Sequence, residues 1–180
     1  AYRLFGEQVH STISHSRDSG ESWELNHSFN YSSADSYLYE DSSNNLLMLT
    51  RCENDLCIFK YTDNQQWQQF SRIDFSEYNA NFDSITENSI IQTNDGNYLL
   101  SFSQDNYNLS TRNNIFVIKS QNLVDWSNPI QISNEEEAEV GSKLIQLNDG
   151  TLMLVYNSYA RNSIIVKTSL DGDSWTESQE

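Results

Sequence analysis

The sequence predicts an all-β protein, a β-propeller of four-stranded antiparallel blades. Three observations carry this. Each of the four Trp residues closes a short polar turn: SRDSGESW (16–23), YTDNQQW (61–67), SQNLVDW (120–126) and SLDGDSW (169–175). The Trp residues recur at spacings of 44, 59 and 49, the period of a supersecondary repeat. Between them run short apolar, β-rich segments bounded by turn residues, and no stretch sustains a helical period.

The elements follow in chain order. In the first unit YRLFGE aligns with a second strand and STISHS with a third, and Trp23 opens a fourth; nothing before Tyr2 supplies an innermost strand. The second unit is SYLYEDSSNNLLMLTRCENDLCIFKYTDNQQW followed by QQFSRI. The third is the clearest. TENSIIQ and YLLSFSQ flank an Asn-Asp-Gly turn, NIFVIKS forms the third strand, and SQNLVDW turns into SNPIQIS. In the fourth, the Asn-Asp-Gly at 148–150 matches 94–96, and Arg161-Asn162 matches Arg112-Asn113. The predicted blades are 1–30, 31–76, 85–133 and 139–180, about three and a half to four in one domain. Closed propellers use roughly 4 to 8. An open array exposes a sheet face and strand edges. The expectation is therefore a piece of a larger propeller, or a homo-oligomer closed by another copy.

The turns have a physical logic. Asp or Asn side chains accept backbone N–H bonds ahead of them, Ser adds further bonds, and Gly tolerates φ > 0. The Trp that follows is expected to pin the returning strand by burying its ring. The structural set is Ser16, Asp18, Gly20 and Trp23; Asp63 and Trp67; Ser120 and Trp126; Ser169, Asp171, Gly172 and Trp175. Gly and Pro are scarce, so Asn and Asp are expected to fill many turn positions.

The 180 residues suffice for a sizeable core, and aromatics at 12% offset a modest hydrophobic content of 37%. The formal net charge of −16 disfavours nucleic acid and anionic lipid as partners. It reads first as a solvated surface, and secondly as a setting for calcium or neutral sugars. No run is long enough to insert into a membrane. Cys52 and Cys57 flank a four-residue segment; the spacing suits a disulfide across a hairpin and equally two free thiols. No metal site is legible: CxxxxC is a poor zinc signal, and His10, His15 and His27 lack ligand spacing. Sequons at Asn26, Asn30 and Asn108 add to an expectation of a secreted or cell-surface protein.

The turn S-x-D-(x)-G-x-x-W resembles the Asp-box, or BNR repeat, of sialidase-like β-propellers. SRDSGESW and SLDGDSW match it closely, the other two in degraded form. VGSKLIQLNDGTLMLVYNSYARNSIIVKTSLDGDSW is similar to a whole blade of that family. The resemblance covers nearly the entire chain. It implies a carbohydrate-handling propeller whose Asp-boxes are structural and lie opposite the active-site face. A sialidase holds its substrate carboxylate with three arginines and uses a Tyr nucleophile with a Glu and an Asp.

On that resemblance Glu87, in ENSIIQTNDG, matches the Glu that faces the nucleophile, and Arg112 and Arg161 lie in equivalent loops as candidate anchors. Their alternative reading is surface salt bridging. Tyr2-Arg3-Leu4-Phe5 lacks the family's Pro and aligns with the wrong strand, and the nucleophile has no assigned counterpart. Tyr78, Asp83, Tyr107 and Tyr159 are candidate ligand-binding residues, the tyrosines as stacking platforms. The run Glu135, Glu136, Glu137 and Glu139 reads as a solvated loop, with calcium binding as its alternative. No other cofactor is implied. The segment SQNLVDWSNP also resembles the S-x-D-L-x-x-W stretch of other five-bladed glycosidases, whose chemistry uses carboxylates. Two functions follow: a sialidase-like glycoside hydrolase acting on a glycan or glycoconjugate, or a non-catalytic propeller that binds glycans or proteins.

Overall fold

The computed structural model describes residues 11–29, 36–78, 85–104, 114–133, 139–158 and 162–177. Thirteen strands form four antiparallel sheets in chain order among them. The first sheet holds β1 (Ser11–His15) and β2 (Glu24–Phe29). The second holds β3 (Tyr37–Glu40), β4 (Leu46–Cys52), β5 (Asp55–Tyr61) and β6 (Trp67–Ile73). The third holds β7 (Ile85–Gln92), β8 (Tyr98–Gln104), β9 (Asn114–Ser120) and the two-residue β10 (Ile130–Gln131). The fourth holds β11 (Glu139–Gln146), β12 (Leu152–Ser158) and β13 (Ser163–Ser169). Among the described residues helix is limited to one 3₁₀ turn, Phe75–Glu77, capped by the Asp74 carboxylate, which accepts from the Ser76 N–H.

Side-chain alternation sends successive residues of a strand to opposite faces, and three apolar clusters show where those faces go. Phe29 meets Met48, Phe59 and Trp67 between the first and second sheets. Leu49, Ile58 and Phe75 meet Ile90, Leu100 and Phe102 between the second and third. Leu99, Ile115 and Val117 meet Leu144, Leu154 and Tyr156 between the third and fourth. The sheets thus stack face to face in chain order, as blades do. Strand β8 is buried at every residue because it is covered on both sides. Strand β12 alternates, with Leu152, Leu154 and Tyr156 buried while Met153 and Val155 are half-buried, because its outer face has no sheet against it among the described residues.

Two glutamines fasten neighbouring sheets. The Gln92 side-chain oxygen accepts from the Ser42 N–H of the second sheet's turn (2.9 Å), and its amide nitrogen donates to Gly96 O in its own turn (3.1 Å). Gln146 repeats this one sheet later, joining Asn94 N–H (2.8 Å) to Gly150 O (2.9 Å). The Tyr98 hydroxyl adds a bond from the third sheet to the Asp41 carboxylate of the second. Burial and that carboxylate push the Tyr98 hydroxyl up to about 12.

Turn carboxylates make the fold sensitive to acid. Hydrogen bonds from the Ser22 hydroxyl and N–H hold Asp18 below its usual 3.8, the Thr93 hydroxyl does so for Asp95, and the Thr151 N–H for Asp149. Asp171 is lowered by the N–H groups of Ser174 and Asp173. Folded values below the unfolded one contribute stability above about pH 4, lost as pH falls through the folded values. Relief of the −16 net charge acts at higher pH, where unlocked carboxylates titrate. The melting temperature is expected to hold or rise from pH 7 to 5 and to drop below pH 4. Calorimetry across that range checks this, and an unchanged melting temperature at pH 3 would contradict it.

Asn and Asp fill turn positions as expected: Asp18, Asp41, Asn122, Asp149 and Asp171 all accept turn N–H groups. Among the described residues six non-glycine residues have positive φ: Ser19, Asn44, Glu53, Gln65, Leu123 and Asn162. Only two are Asn and none is Asp, because Asp here serves as the acceptor in the turn rather than as the left-handed residue.

Candidate functional site

The sheets have two ends, and they differ in chemistry. One carries the turns after β7, β9, β11 and β13. There the Asp171 Oδ1 accepts from the N–H groups of Asp173 and Ser174, both at 2.8 Å, while Ser169 Oγ accepts from Gly172 N–H at 2.8 Å. Trp175 donates its indole N–H to Gly172 O and packs against the core between the third and fourth sheets. Gly172 has φ +75, and a Cβ there would stand 3.2 Å from Leu99, so glycine is favoured.

The other turns reproduce this to varying degree. Asp18 and Ser16 make a similar set, with Ser22 N–H to Asp18 Oδ1 at 2.9 Å, the Ser22 hydroxyl on Asp18 Oδ2, and Gly20 N–H to Ser16 Oγ at 2.7 Å. Asn122 replaces the Asp and accepts from Val124 and Asp125 N–H, with Leu123 in place of the glycine at φ +64. The turn at 62–66 differs: the Thr62 hydroxyl donates to Gln66 O, and exposed Asp63 takes no part. The ring burial expected of the Trp residues holds for Trp67 and, by half, for Trp126 and Trp175. Trp23 is 65% exposed. Its indole N–H reaches Gly20 O, but among the described residues the first sheet has two strands and the ring stays uncovered.

The opposite end is where β7 and β11 begin, β8 and β12 finish, and β9 and β13 start. Both starting strands carry a register shift at the same place, between Thr86 and Ser89 in β7 and between Val140 and Lys143 in β11. A bulge of this kind re-aims side chains and recurs beside active sites. Gly141, at φ +71, suits the second bulge, where an L side chain would be strained; a Cβ there would lie 2.9 Å from the movable Asn157 Nδ2. Glu87 occupies the matching position in the first bulge by its backbone; its side chain lies outside the described set.

Around these bulges sits a layer of buried polar groups. Asn88, Ser89, Ser101, Ser103 and Ser142 are all buried, with Ser142 Oγ donating to Ser101 Oγ across the third and fourth sheets (2.9 Å). Ser89 Oγ accepts from Leu144 N–H (3.2 Å). Glu139, paired with Ser158 at the start of β11, is only 3% exposed. A carboxylate taken out of water needs compensating polar contacts, so this position is chemically demanding. The solvated-loop reading of the acidic run fails for Glu139, which is a strand residue; residues 134–138 lie outside the described set. Counting back 54 positions from the second Asn-Asp-Gly turn would have shown it, since that places Glu139 on Ile85, a core position.

Of the other predicted site residues, Tyr78 is half-buried beside Phe75 at this end, with its N–H on Phe75 O and its ring centroid 5.8 Å from that of Phe75. Asp83, Tyr107, Arg112, Tyr159 and Arg161 lie outside the described residues. The flanking strands nevertheless end and begin at this same end of the sheets. Cys52 and Cys57 are joined in a disulfide across the β4–β5 hairpin, also here. Beside it, Asp55 accepts from Arg72 Nε (2.6 Å) and Phe75 N–H (3.1 Å), and Arg72 also pairs with Glu53. Among the described residues no group of three His, Cys, Asp or Glu side chains is placed to hold a metal ion.

No family model and no curated protein matches the sequence. The fold, by contrast, is well represented among solved structures. The chain superposes on the α-L-arabinanase of Penicillium chrysogenum, solved with arabinobiose, at TM-score 0.72 and 16% identity, covering 95% of this chain and 57% of that one. It is similar to an α-L-arabinofuranosidase of Fusarium graminearum, solved with an iminosugar inhibitor, at TM-score 0.70 and 15% identity over 96% of this chain and 58% of that one. A Hadza microbial sialidase matches at TM-score 0.61 and 14% identity, over 78% of this chain and 36% of that one. These neighbours are propeller-fold glycoside hydrolases, and this chain shares their all-β, antiparallel fold. It spans 57% and 58% of the length of the first two.

Proposed function

We propose that the chain is a sialidase-related Asp-box propeller, of about three and a half to four four-stranded blades, that handles carbohydrate as a glycoside hydrolase. The site is the end of the sheets where β7 and β11 begin. The observation that carries this is the pair of bulges at matching positions of those strands, with Glu87 in one and the buried Glu139 two residues before the glycine of the other. The β7 and β11 bulges lie at that end with Asn88, Ser89, Ser101, Ser103 and Ser142 buried around them, while the opposite end carries turns whose Asp, Asn and Ser side chains largely bond their own backbone. The fold shared with arabinan-degrading enzymes and a sialidase supports the substrate class. Glycosidic hydrolysis requires positioned carboxyl groups, and Glu87 is assigned that role. Arg112 and Arg161 are anchors for the sugar, with Tyr78, Asp83, Tyr107 and Tyr159 forming the walls. The disulfide fits an oxidising, secreted or cell-surface setting.

A second reading is favoured by one feature: apart from Glu139, the buried polar layer consists of hydroxyls and amides, which suit binding more than proton transfer. This would be a non-catalytic glycan-binding propeller. Aryl α-L-arabinofuranosides and aryl α-sialosides separate the two. Release of the aryl alcohol, reduced roughly 100-fold or more in Glu87→Gln, is expected for the hydrolase. Saturable glycan binding without release transfers the assignment to the second reading, and neither release nor binding ends both.

A further inference from the structure

A crevice of about 620 Å³ opens at the turn end, between the third and fourth sheets and away from the bulges. Its volume falls within the range of ligand clefts, roughly 300–1,000 Å³. The floor is apolar, formed by Leu99 and Leu152, and Leu170 on its rim is 84% exposed, the most exposed large hydrophobic side chain described. The polar walls are mostly committed to the fold. Asp95 accepts from Thr93 and Asn97, Asn122 from Val124 and Asp125, and Asp171 from Asp173 and Ser174. Such walls are rigid before any ligand arrives, which lowers the ordering cost of binding.

Two lining residues differ. The side chains of Asn94 and Gln121 are exposed, and neither forms a hydrogen bond within the described residues; only the Asn94 backbone N–H is held, by Gln146. They offer free amide donors and acceptors next to an exposed aliphatic side chain. Charge narrows the ligand further. Asp95, Asp125 and Asp171 line the crevice, and its one cation among the described residues, Lys119, is paired with Asp173 and donates to Asp171 O. An anion would meet carboxylates without a free counter-charge. Amides that exchange hydrogen bonds with hydroxyls, beside leucine for a C–H face, fit an uncharged polyhydroxylated ring.

From this we infer that the crevice is a second binding site, for a neutral saccharide, on the face opposite the candidate catalytic end. It does not rest on the hydrolase reading. The test is a ¹⁵N NMR titration of the whole chain with arabinotriose, and with sialyllactose as the acidic comparison. Saturable shifts are expected at the amides of Asn94, Gln121 and Leu170 with arabinotriose and not with sialyllactose. The Asn94→Ala/Gln121→Ala pair should weaken binding by roughly fivefold or more. Its melting temperature should be unchanged, because those side chains hold nothing in the fold; Leu170→Glu should weaken binding independently. Absence of saturation at tens of millimolar, equal affinity in the variants, or shifts confined to the residues around Glu139 would each overturn the inference.

Discussion

Phe102→Ala is expected to cost roughly 3–5 kcal/mol of folding stability. The side chain is fully buried in the middle of β8, in the cluster shared by the second and third sheets. Its ring meets Phe75 edge-on at 4.9 Å and lies stacked at 5.7 Å from Phe116, its partner across β8 and β9. Truncation removes the transfer free energy of the ring and leaves a cavity whose walls, two other aromatic rings and the sheet, cannot collapse inward. Small domains are stable by only about 5–15 kcal/mol, so roughly a fifth or more of the total is at stake. Urea unfolding should show a lower midpoint at unchanged slope. Phe102→Leu should recover much of the loss; if it were as damaging as alanine, cavity formation would not be the cause.

The second large effect is expected from the disulfide. Cys52 and Cys57 are five residues apart, and closing a loop of that size restricts the unfolded chain by about 2 kcal/mol in the chain-entropy account. Both residues are fully buried among Met48, Phe59 and Trp67, so alanine at both positions removes the link without placing a polar group there. The double variant Cys52→Ala/Cys57→Ala should lose about 2 kcal/mol. The wild type should fall to a similar stability in dithiothreitol, and the variant should be indifferent to it. Equal melting temperatures with and without reductant in the wild type would remove the disulfide from the stability account. Because Asp55 in the same hairpin holds Arg72 and the N–H of Phe75, the loss should be felt first at the end that carries Tyr78.

Much of this was readable from residue order because turns and strands are local. The Asn-Asp-Gly turns and the Ser-Asp-Gly-Trp turns encode their own hydrogen bonds, and the apolar segments between them fell on the strands they predicted. What was missed depends on neighbours in space. Glu139 looks like the end of a solvated acidic run until β12 is laid beside it. Trp23 has the same local chemistry as Trp175, yet Trp23 is exposed while Trp175 packs against the core between the third and fourth sheets. Asp63 keeps the letter of the turn motif, but Thr62 makes the bonds. Leu123 shows that a left-handed backbone can be imposed on a β-turn when Ser120 and Asn122 accept enough N–H groups around it.

The glutamine fasteners set an order of opening for the molecule. Gln92 ties the third sheet to the second, and Gln146 ties the fourth to the third, each with a group that accepts in one turn and donates in the other. The matching residue of the second sheet is Glu40, opposite Leu46 as Gln92 is opposite Tyr98. A carboxylate accepts but has no amide hydrogens, so it cannot make the two-sided bond. The second, third and fourth sheets are therefore fastened in series, whereas among the described residues the first meets the second through Phe29, packed on Met48, Phe59 and Trp67. Local unfolding should start at the first sheet, with the β1–β2 amides exchanging through excursions that leave the candidate site intact.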